Sequence, residues 1–254
     1  MRIAFIFDIH GNLPGLEATL AAIGSDAPDA IYHGGDLIGW GPQPNEVVER
    51  IREAGISGVV GNHELLALGA FTEEHPLRNA STAWTTEQLT EPSRAAISEL
   101  PGLLKLDGAL LAHSSPAAWT DPPAAECFPY VHDSANLMRH PPGFSEAPGG
   151  IIITGHVHEP AVYIASLGGM AVEKQPMPRG ATEMAVRITP DQSAFVVAGA
   201  AGKPRDRVLG ANYVLLEERT IILRRVSYDV ASVAQMMRET DLPDALAEQL
   251  MEGV

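Results

Sequence analysis

An α/β fold built on two β-sheets is predicted by three features of the chain. Short apolar, partly β-branched runs (Ile3 to Phe7, Ala30 to Tyr32, Ser57 to Val60, Ala109 to Ala112, Ile151 to Thr154) read as buried strands. The first of them alternate with helical patterns in βαβ fashion. Beyond His158 the pattern turns to strand after strand, which a second sheet accommodates. Each apolar run also leads into a motif of carboxylate, amide or imidazole groups: Asp8-Ile9-His10, Gly35-Asp36, Gly61-Asn62-His63-Glu64, Ala112-His113 and Gly155-His156-Val157-His158. In open α/β sheets ligands bind at the carboxyl ends of strands, so these motifs are expected to converge on one crevice.

Taken in order, Leu13, Leu16, Leu20 and Ile23 give a first helix ending at Gly24, and Val47, Val48 and Ile51 a second over Pro44 to Ala54. Residues 62–100 read as mostly helical, interrupted near Pro76 and Pro92. Leu103 to Leu106 and Gly108 to Ala112 form a hairpin about the Asp107-Gly108 turn. Ser115 to Gly150, rich in proline and small residues, is expected to be an excursion over the active edge that shapes the pocket. The later strands are Ala161 to Ser166, Met184 to Ile188, Ala194 to Ala198, Asn212 to Leu216 and Thr220 to Val226. Helices over Val230 to Glu239 and Ala245 to Met251 follow. No linker-like tract or solenoid repeat separates the motifs, so residues 1–254 are expected to form a single domain.

Seventeen basic against thirty-two acidic side chains give a formal charge of −15, which repels nucleic-acid phosphates at long range and argues against bulk nucleic-acid binding. Two divalent cations in one crevice would still attract a single phosphate. Hydrophobic residues at 45% and charged residues at 19% suit a soluble globular chain. Met1 to His10 lacks the pattern of a signal peptide, and no apolar run approaches a membrane span. The single cysteine, Cys127, has no partner for an intrachain disulfide, which fits a reducing compartment. A cytoplasmic protein is the expectation.

Asp8 and His10 lie two apart on a segment read as extended, which puts an oxygen and a nitrogen donor on the same side. His156 and His158 repeat that spacing. Asp36 lies among Gly34, Gly35, Gly39 and Gly41; it reads either as a turn aspartate bonded to nearby backbone or as a carboxylate bridging two metals. Asn62 reads as the cap of a helix carrying Leu65, Leu66 and Leu68, or as an oxygen ligand, and the two roles can coexist. Of nine histidines, His10, His63, His113, His156 and His158 fall at strand ends. His75, His132 and His140 lie in polar or proline-rich stretches and read as surface residues, and His33 reads as packing beside the site. Asp8, His10, Asp36, Asn62, His113, His156 and His158 supply seven side chains, or four ligands for each of two metals if Asp36 is shared. All the donors are oxygen or imidazole nitrogen, which suits Mn, Fe, Zn, Co or Ni better than a structural zinc or an iron–sulfur cluster. Two divalent or trivalent transition-metal ions are therefore the expected cofactors.

The ordered set Asp8-x-His10, Gly35-Asp36-x-x-Gly39, Gly61-Asn62-His63-Glu64, His113 and Gly155-His156-x-His158 resembles the calcineurin-like metallophosphoesterase superfamily. The stretches from Ile9 to Pro14, Gly39 to Pro42 and Gly202 to Asp206 resemble its small bacterial phosphodiesterase-like branch. The resemblance implies a four-layer αββα sandwich, two mixed sheets packed face to face and flanked by helices. It assigns Asp8, His10, Asp36 and His158 to one metal, and Asp36, Asn62, His113 and His156 to the other. It implies in-line attack on phosphorus by a hydroxide shared between the metals, with His63 as an imidazolium that stabilises charge or protonates the leaving group. The chain departs from that branch at Ala198-Gly199-Ala200, at Lys203 and at Ser114, none of them an implied ligand. These departures bear on substrate choice. Arg205 has two readings, a phosphate contact or an ion pair away from the site.

The expected activity is hydrolysis of a small phosphorylated substrate, a phosphodiester or phosphomonoester. A dinucleoside polyphosphate or a phosphoprotein would meet the same site. The competing class is a metal-binding scaffold without catalysis, against which the retained His63 argues. A third reading, in which the histidines merely fill the core or cap helices, requires five strand-end coincidences.

Overall fold

The computed structural model of the chain describes residues 1–139, 143–166 and 172–254. His140 lies outside the described residues. The chain begins with β1 (Arg2–Ile6), α1 (Leu13–Asp26), β2 (Ala30–His33), α2 (Pro44–Glu53), β3 (Ser57–Gly58) and α3 (Asn62–Ala67). Next come α4 (Pro76–Gln88), α5 (Glu91–Ser98), β4 (Leu103–Leu106), β5 (Ala109–Ala112) and α6 (Ser134–Arg139). The strands β6 (Ile151–Thr154), β7 (Ala161–Ser166), β8 (Val172–Pro176), β9 (Glu183–Arg187), β10 (Gln192–Val197), β11 (Ala211–Glu217) and β12 (Thr220–Val226) follow, then α7 (Val230–Arg238) and α8 (Asp244–Glu252).

The strands form two six-stranded sheets, ordered β3-β2-β1-β11-β12-β9 and β4-β5-β6-β10-β7-β8. Both sheets are mixed. The first pairs β1, β2 and β3 in parallel, and the second pairs β5, β6 and β10 in parallel. Antiparallel strands complete each sheet on the outer sides of these parallel cores.

Alternation along each strand sorts the side chains into layers. Ile3 and Phe5 of β1 lie between the sheets with Leu111, Ile153, Val196 and Val214. Ala4 and Ile6 of the same strand meet Leu16 and Ile23 of α1 and Val47 and Ile51 of α2 on the outer face. Across the second sheet, Leu110, Ile152 and Phe195 pack beneath Val131 and Leu137, the latter on α6. The result is helix, sheet, sheet, helix, the four-layer sandwich expected. Burial on both faces explains why β5 and β6 are unbroken apolar runs.

Several boundaries differ from the sequence reading for physical reasons. β1 ends at Ile6 because the chain must turn toward the site immediately afterwards. α1 runs through Gly24 to Asp26 and ends on Ala27 in the left-handed region. A mid-helix glycine costs only about 1 kcal/mol, which the burial of Leu16 and Ile23 outweighs. Pro76 and Pro92 stand in the first turns of α4 and α5, where a missing amide hydrogen costs nothing. β8 gives no apolar signal, since it is a sheet-edge strand of polar sequence that is buried on neither face.

Phe5 is fully buried between the sheets. Replacing it with alanine is expected to cost about 3–5 kcal/mol, read as a fall in the urea midpoint at unchanged m-value.

Candidate metal centre

The candidate ligands stand one to four residues beyond the ends of β1, β2, β3, β5 and β6 rather than on the strands themselves. Asp8, His10, Asp36, His156 and His158 all have φ between 51° and 66°. The extended geometry read for Asp8-Ile9-His10 is thus replaced by two left-handed turns, with Ile9 buried between them. Each such residue stores about 1–3 kcal/mol of strain, which the surroundings must over-determine. Main-chain hydrogen bonds do so: the His10 amide donates to Asp36 O at 2.9 Å, Gly11 to Leu37 O at 2.8 Å, and Gly155 to His113 O at 3.0 Å. The His156 amide donates to the Asp8 carboxylate at 2.9 Å, tying a loop of the second sheet to a loop of the first. Space is equally constrained, because a side-chain carbon on Gly155 would stand 2.3 Å from Asp8 Oδ2.

Glu64, in plain view in the motif but given no role from sequence, fixes the bridging candidate. Its buried carboxylate accepts from the amides of Asp36 (2.8 Å), Leu37 (2.7 Å), Ile38 (3.2 Å) and Gly61 (2.8 Å). One side chain thereby holds both the Asp36 loop and the start of α3. The N-cap position belongs to Gly61, so Asn62 is not the cap. Its Oδ1 instead lies 3.1 Å from His113 Nε2.

The donors fall into two overlapping groups within 4.8 Å: Asp8, His10, Asp36 and His158, and Asp36, His113 and His156, all buried. Their protonation follows from their outer partners. His10 Nδ1 contacts Ile38 O at 3.1 Å, His158 Nδ1 contacts Lys203 O at 2.6 Å, and His113 Nδ1 contacts Gly34 O at 2.8 Å. A carbonyl only accepts, so each Nδ1 carries a hydrogen and each ring turns Nε2 inward, where it is a bare donor atom for metal whenever the ring is neutral. There the lone pairs face one another: His10 Nε2 and His158 Nε2 are 3.1 Å apart, and His113 Nε2 is 3.2 Å from Asp36 Oδ2. His158 Nε2 lies 3.3 Å from Asp8 Oδ1. Acceptors at these separations repel unless a proton or cation lies between them. His156 Nε2 and Asn62 Nδ2 are buried with no hydrogen-bond partner among the described residues. Oxygen and imidazole donors in this arrangement fit transition-metal ions.

The ionisation of these groups in the absence of metal reflects the same crowding of charge and burial. Burial pulls the His113 ring down, but Asp36 and Asp8 outweigh it and raise it to about 9. Burial drives the Asp8 carboxyl up, whereas for Asp36 the surrounding imidazoles, led by His113, overcome burial and hold it low. Burial lowers His10 to about 3 and holds His156 and His158 well below the usual histidine range.

His63 faces this cluster, edge-on to His10 at 4.8 Å between ring centroids and against Trp40 at 5.4 Å. Gly39, at φ 81°, makes room for it: a side-chain carbon there would meet His63 Nδ1 at 2.2 Å. Burial holds the His63 ring well below the usual histidine range, which favours its neutral form before substrate binds. His33 is a buried packing residue, its Nδ1 accepting from the Gly35 amide at 3.4 Å. Arg205 lies outside the ligand groups, half-buried at the rim, and its ion-pair reading fails: no carboxylate of the described residues pairs with it. From the proline-rich excursion, Phe128 packs against His113 and Tyr130 against His156, at 5.7 and 4.1 Å between ring centroids.

Two mixed sheets thus share, at their carboxyl ends, a buried His/Asp cluster able to hold metal ions. The model of the calcineurin-like phosphoesterases matches residues 1–160, and the chain belongs to that family. It is 29% identical over 261 residues to an uncharacterized protein of Methanocaldococcus jannaschii, covering 99% of this chain and 98% of that protein. The crystal structure of a metallophosphoesterase from Sphaerobacter thermophilus superposes with a TM-score of 0.79 at 28% identity, over 100% of this chain and 99% of that one. A shorter match, 37% identical over 95 residues, covers 36% of this chain and 32% of a symmetrical bis(5'-nucleosyl)-tetraphosphatase from Baumannia cicadellinicola. Among the described residues, no helix is long and apolar enough to cross a membrane.

Two outcomes are expected. Because His113 holds a proton below about pH 9 without metal, metal binding displaces it. Affinity should therefore rise roughly tenfold per pH unit for each proton released as pH approaches 9, and level off above it. Calorimetric titrations in buffers of different ionisation enthalpy measure the release, and buffer-independent heats would refute it. Glu64→Gln should weaken metal binding about 10- to 100-fold in competition with a chelator, because the Asp36 loop loses charge-assisted anchors.

Proposed function

We propose that this protein hydrolyses a phosphate ester of a small substrate with two metal ions. Asp8, His10, Asp36 and His158 would hold one ion, and Asp36, Asn62, His113 and His156 the other. The reading is carried by the bare inward-facing nitrogens of His10, His158 and His113 set against the Asp8 and Asp36 carboxylates. When bound, the ions would lower the pKa of a water toward neutrality and neutralise phosphoryl oxygens.

The protein's own residues supply the rest. Asp36, fixed by Glu64, is the carboxylate common to both groups. The left-handed turns hold the imidazoles before substrate arrives, so no reorganisation accompanies the reaction. His63, held toward its neutral form and with Nδ1 unpartnered among the described residues, presents a ring that can hydrogen-bond the leaving oxygen. An anionic phosphate beside it favours the protonated ring, which places the proton where the leaving group needs it. Phe128 and Tyr130 cover the His113 and His156 side and limit water access.

The decisive experiment follows hydrolysis of bis(p-nitrophenyl) phosphate and p-nitrophenyl phosphate by metal-stripped protein after Mn, Fe, Ni, Co or Zn is restored. Activity should return with metal and vanish in Asp36→Asn. His63→Ala should lose about 100- to 10,000-fold in kcat while elemental analysis finds the same metal content. Two bound ions per chain with neither compound cleaved would instead favour the scaffold reading.

A further inference from the structure

Beside the metal centre lies a cleft of about 410 Å³, lined by Trp40, His75, Arg78, Tyr130, Lys203 and Arg205 among others, with no aspartate or glutamate on its walls. Its walls are continuous with the centre. Trp40 packs on His63, and Tyr130 packs on His156. The main chain of Lys203 accepts from His158, and the Arg205 amide donates to the His158 carbonyl at 3.4 Å.

Three of the seventeen lysines and arginines thus meet in one cleft of a chain carrying a formal charge of −15. Ion pairing with a side chain accounts for only one of the three, Arg78. Arg205 has no carboxylate partner among the described residues. The Lys203 ammonium lies 5.0 Å over the Trp40 ring and donates to the Val254 main-chain oxygen at 2.7 Å. Arg78 is only 8% exposed; it pairs with Glu73 and donates Nη2 to the Tyr130 hydroxyl at 2.8 Å, which leaves Nε buried and without a hydrogen-bond partner among the described residues. Guanidinium groups held in place and short of acceptors are suited to bind phosphate oxygens.

We infer that this cleft is a second phosphate subsite, taking a phosphate group adjacent to the one held at the metal centre, with Arg205 and Arg78 as its recognition groups. The preferred substrate then carries two neighbouring phosphates. This rests on the phosphoesterase reading for the reacting phosphate, and the test separates the two.

Full-length protein with metal restored is titrated with inorganic phosphate and with inorganic pyrophosphate, followed by tryptophan fluorescence. Pyrophosphate should bind about 10- to 100-fold more tightly, Arg205→Ala should erase that preference, and Arg205→Lys should restore part of it. Arg205 breaks no ion pair when replaced, so this variant tests the subsite without disturbing the Glu73–Arg78 pair. With metal restored, the ratio of kcat/KM for a bisphosphorylated ester to that for p-nitrophenyl phosphate should fall about tenfold or more in Arg205→Ala, and fall measurably in Tyr130→Phe. Equal binding of the two anions, together with a ratio untouched by Arg205→Ala, would overturn the subsite and leave the esterase reading intact. An Arg205-dependent pyrophosphate preference without hydrolysis of any ester would support the subsite and overturn the esterase reading.

Discussion

Everything at the centre depends on one electrostatic conflict: several hydrogen-bond acceptors point at one another in a space closed to water. Three of the four candidate-ligand histidines spend an N–H on a carbonyl outside the cluster, Ile38 for His10, Lys203 for His158 and Gly34 for His113. What remains inside is lone pairs and carboxylate oxygens. Without a cation the Asp36 and Asp8 carboxylates hold a proton on His113, while burial pushes the Asp8 carboxyl upward. The same groups that compete for protons are those that would compete for metal, so occupancy and protonation are one equilibrium.

Holding that conflict together requires rigid surroundings, and the fold supplies them by joining two parallel strand bundles at their carboxyl ends. Neither sheet contains the full set. The first sheet brings Asp8, His10, Asp36 and Asn62; the second brings His113, His156 and His158. The Asp8 carboxylate, taking the His156 amide, is a direct link between the halves. Glu64 performs the equivalent task within the first half, and Asn12 ties the start of α1 to the Gly202 carbonyl at 2.8 Å, just before the residue whose own carbonyl orients His158. Strain at five left-handed candidate ligands persists because these bonds leave no alternative.

How much of this is legible in the sequence depends on the range of the interaction. The strands β5 and β6 and most of β1 are continuous apolar runs, so their burial and the convergence of Asp8, His113 and His156 can be read directly. The backbone of the motifs cannot, because two-residue spacing suggests an extended strand and only the packed structure reveals left-handed turns. Glu64 escapes notice for a different reason: in sequence it is an ordinary first-turn helix residue, and its four amide partners come partly from a loop 26 to 28 positions away. Arg78 and Tyr130, 52 residues apart, meet only after the proline-rich excursion folds back over the centre.

Charge operates on two length scales in this molecule. The formal −15 repels long polyanions at a distance, but salt screens that field beyond about 8 Å at physiological ionic strength. Within that range a phosphate meets a different surface. Two divalent ions against Asp8 and Asp36 would leave a positive centre, and Arg78, Lys203 and Arg205 extend the same sign into the adjoining cleft. A nucleic-acid strand must bring its remaining phosphates against the acidic exterior, whereas a small phosphorylated molecule exposes only the groups the site can neutralise. The acidic surface and the cationic pocket therefore act together, selecting for small size by where each sign is placed.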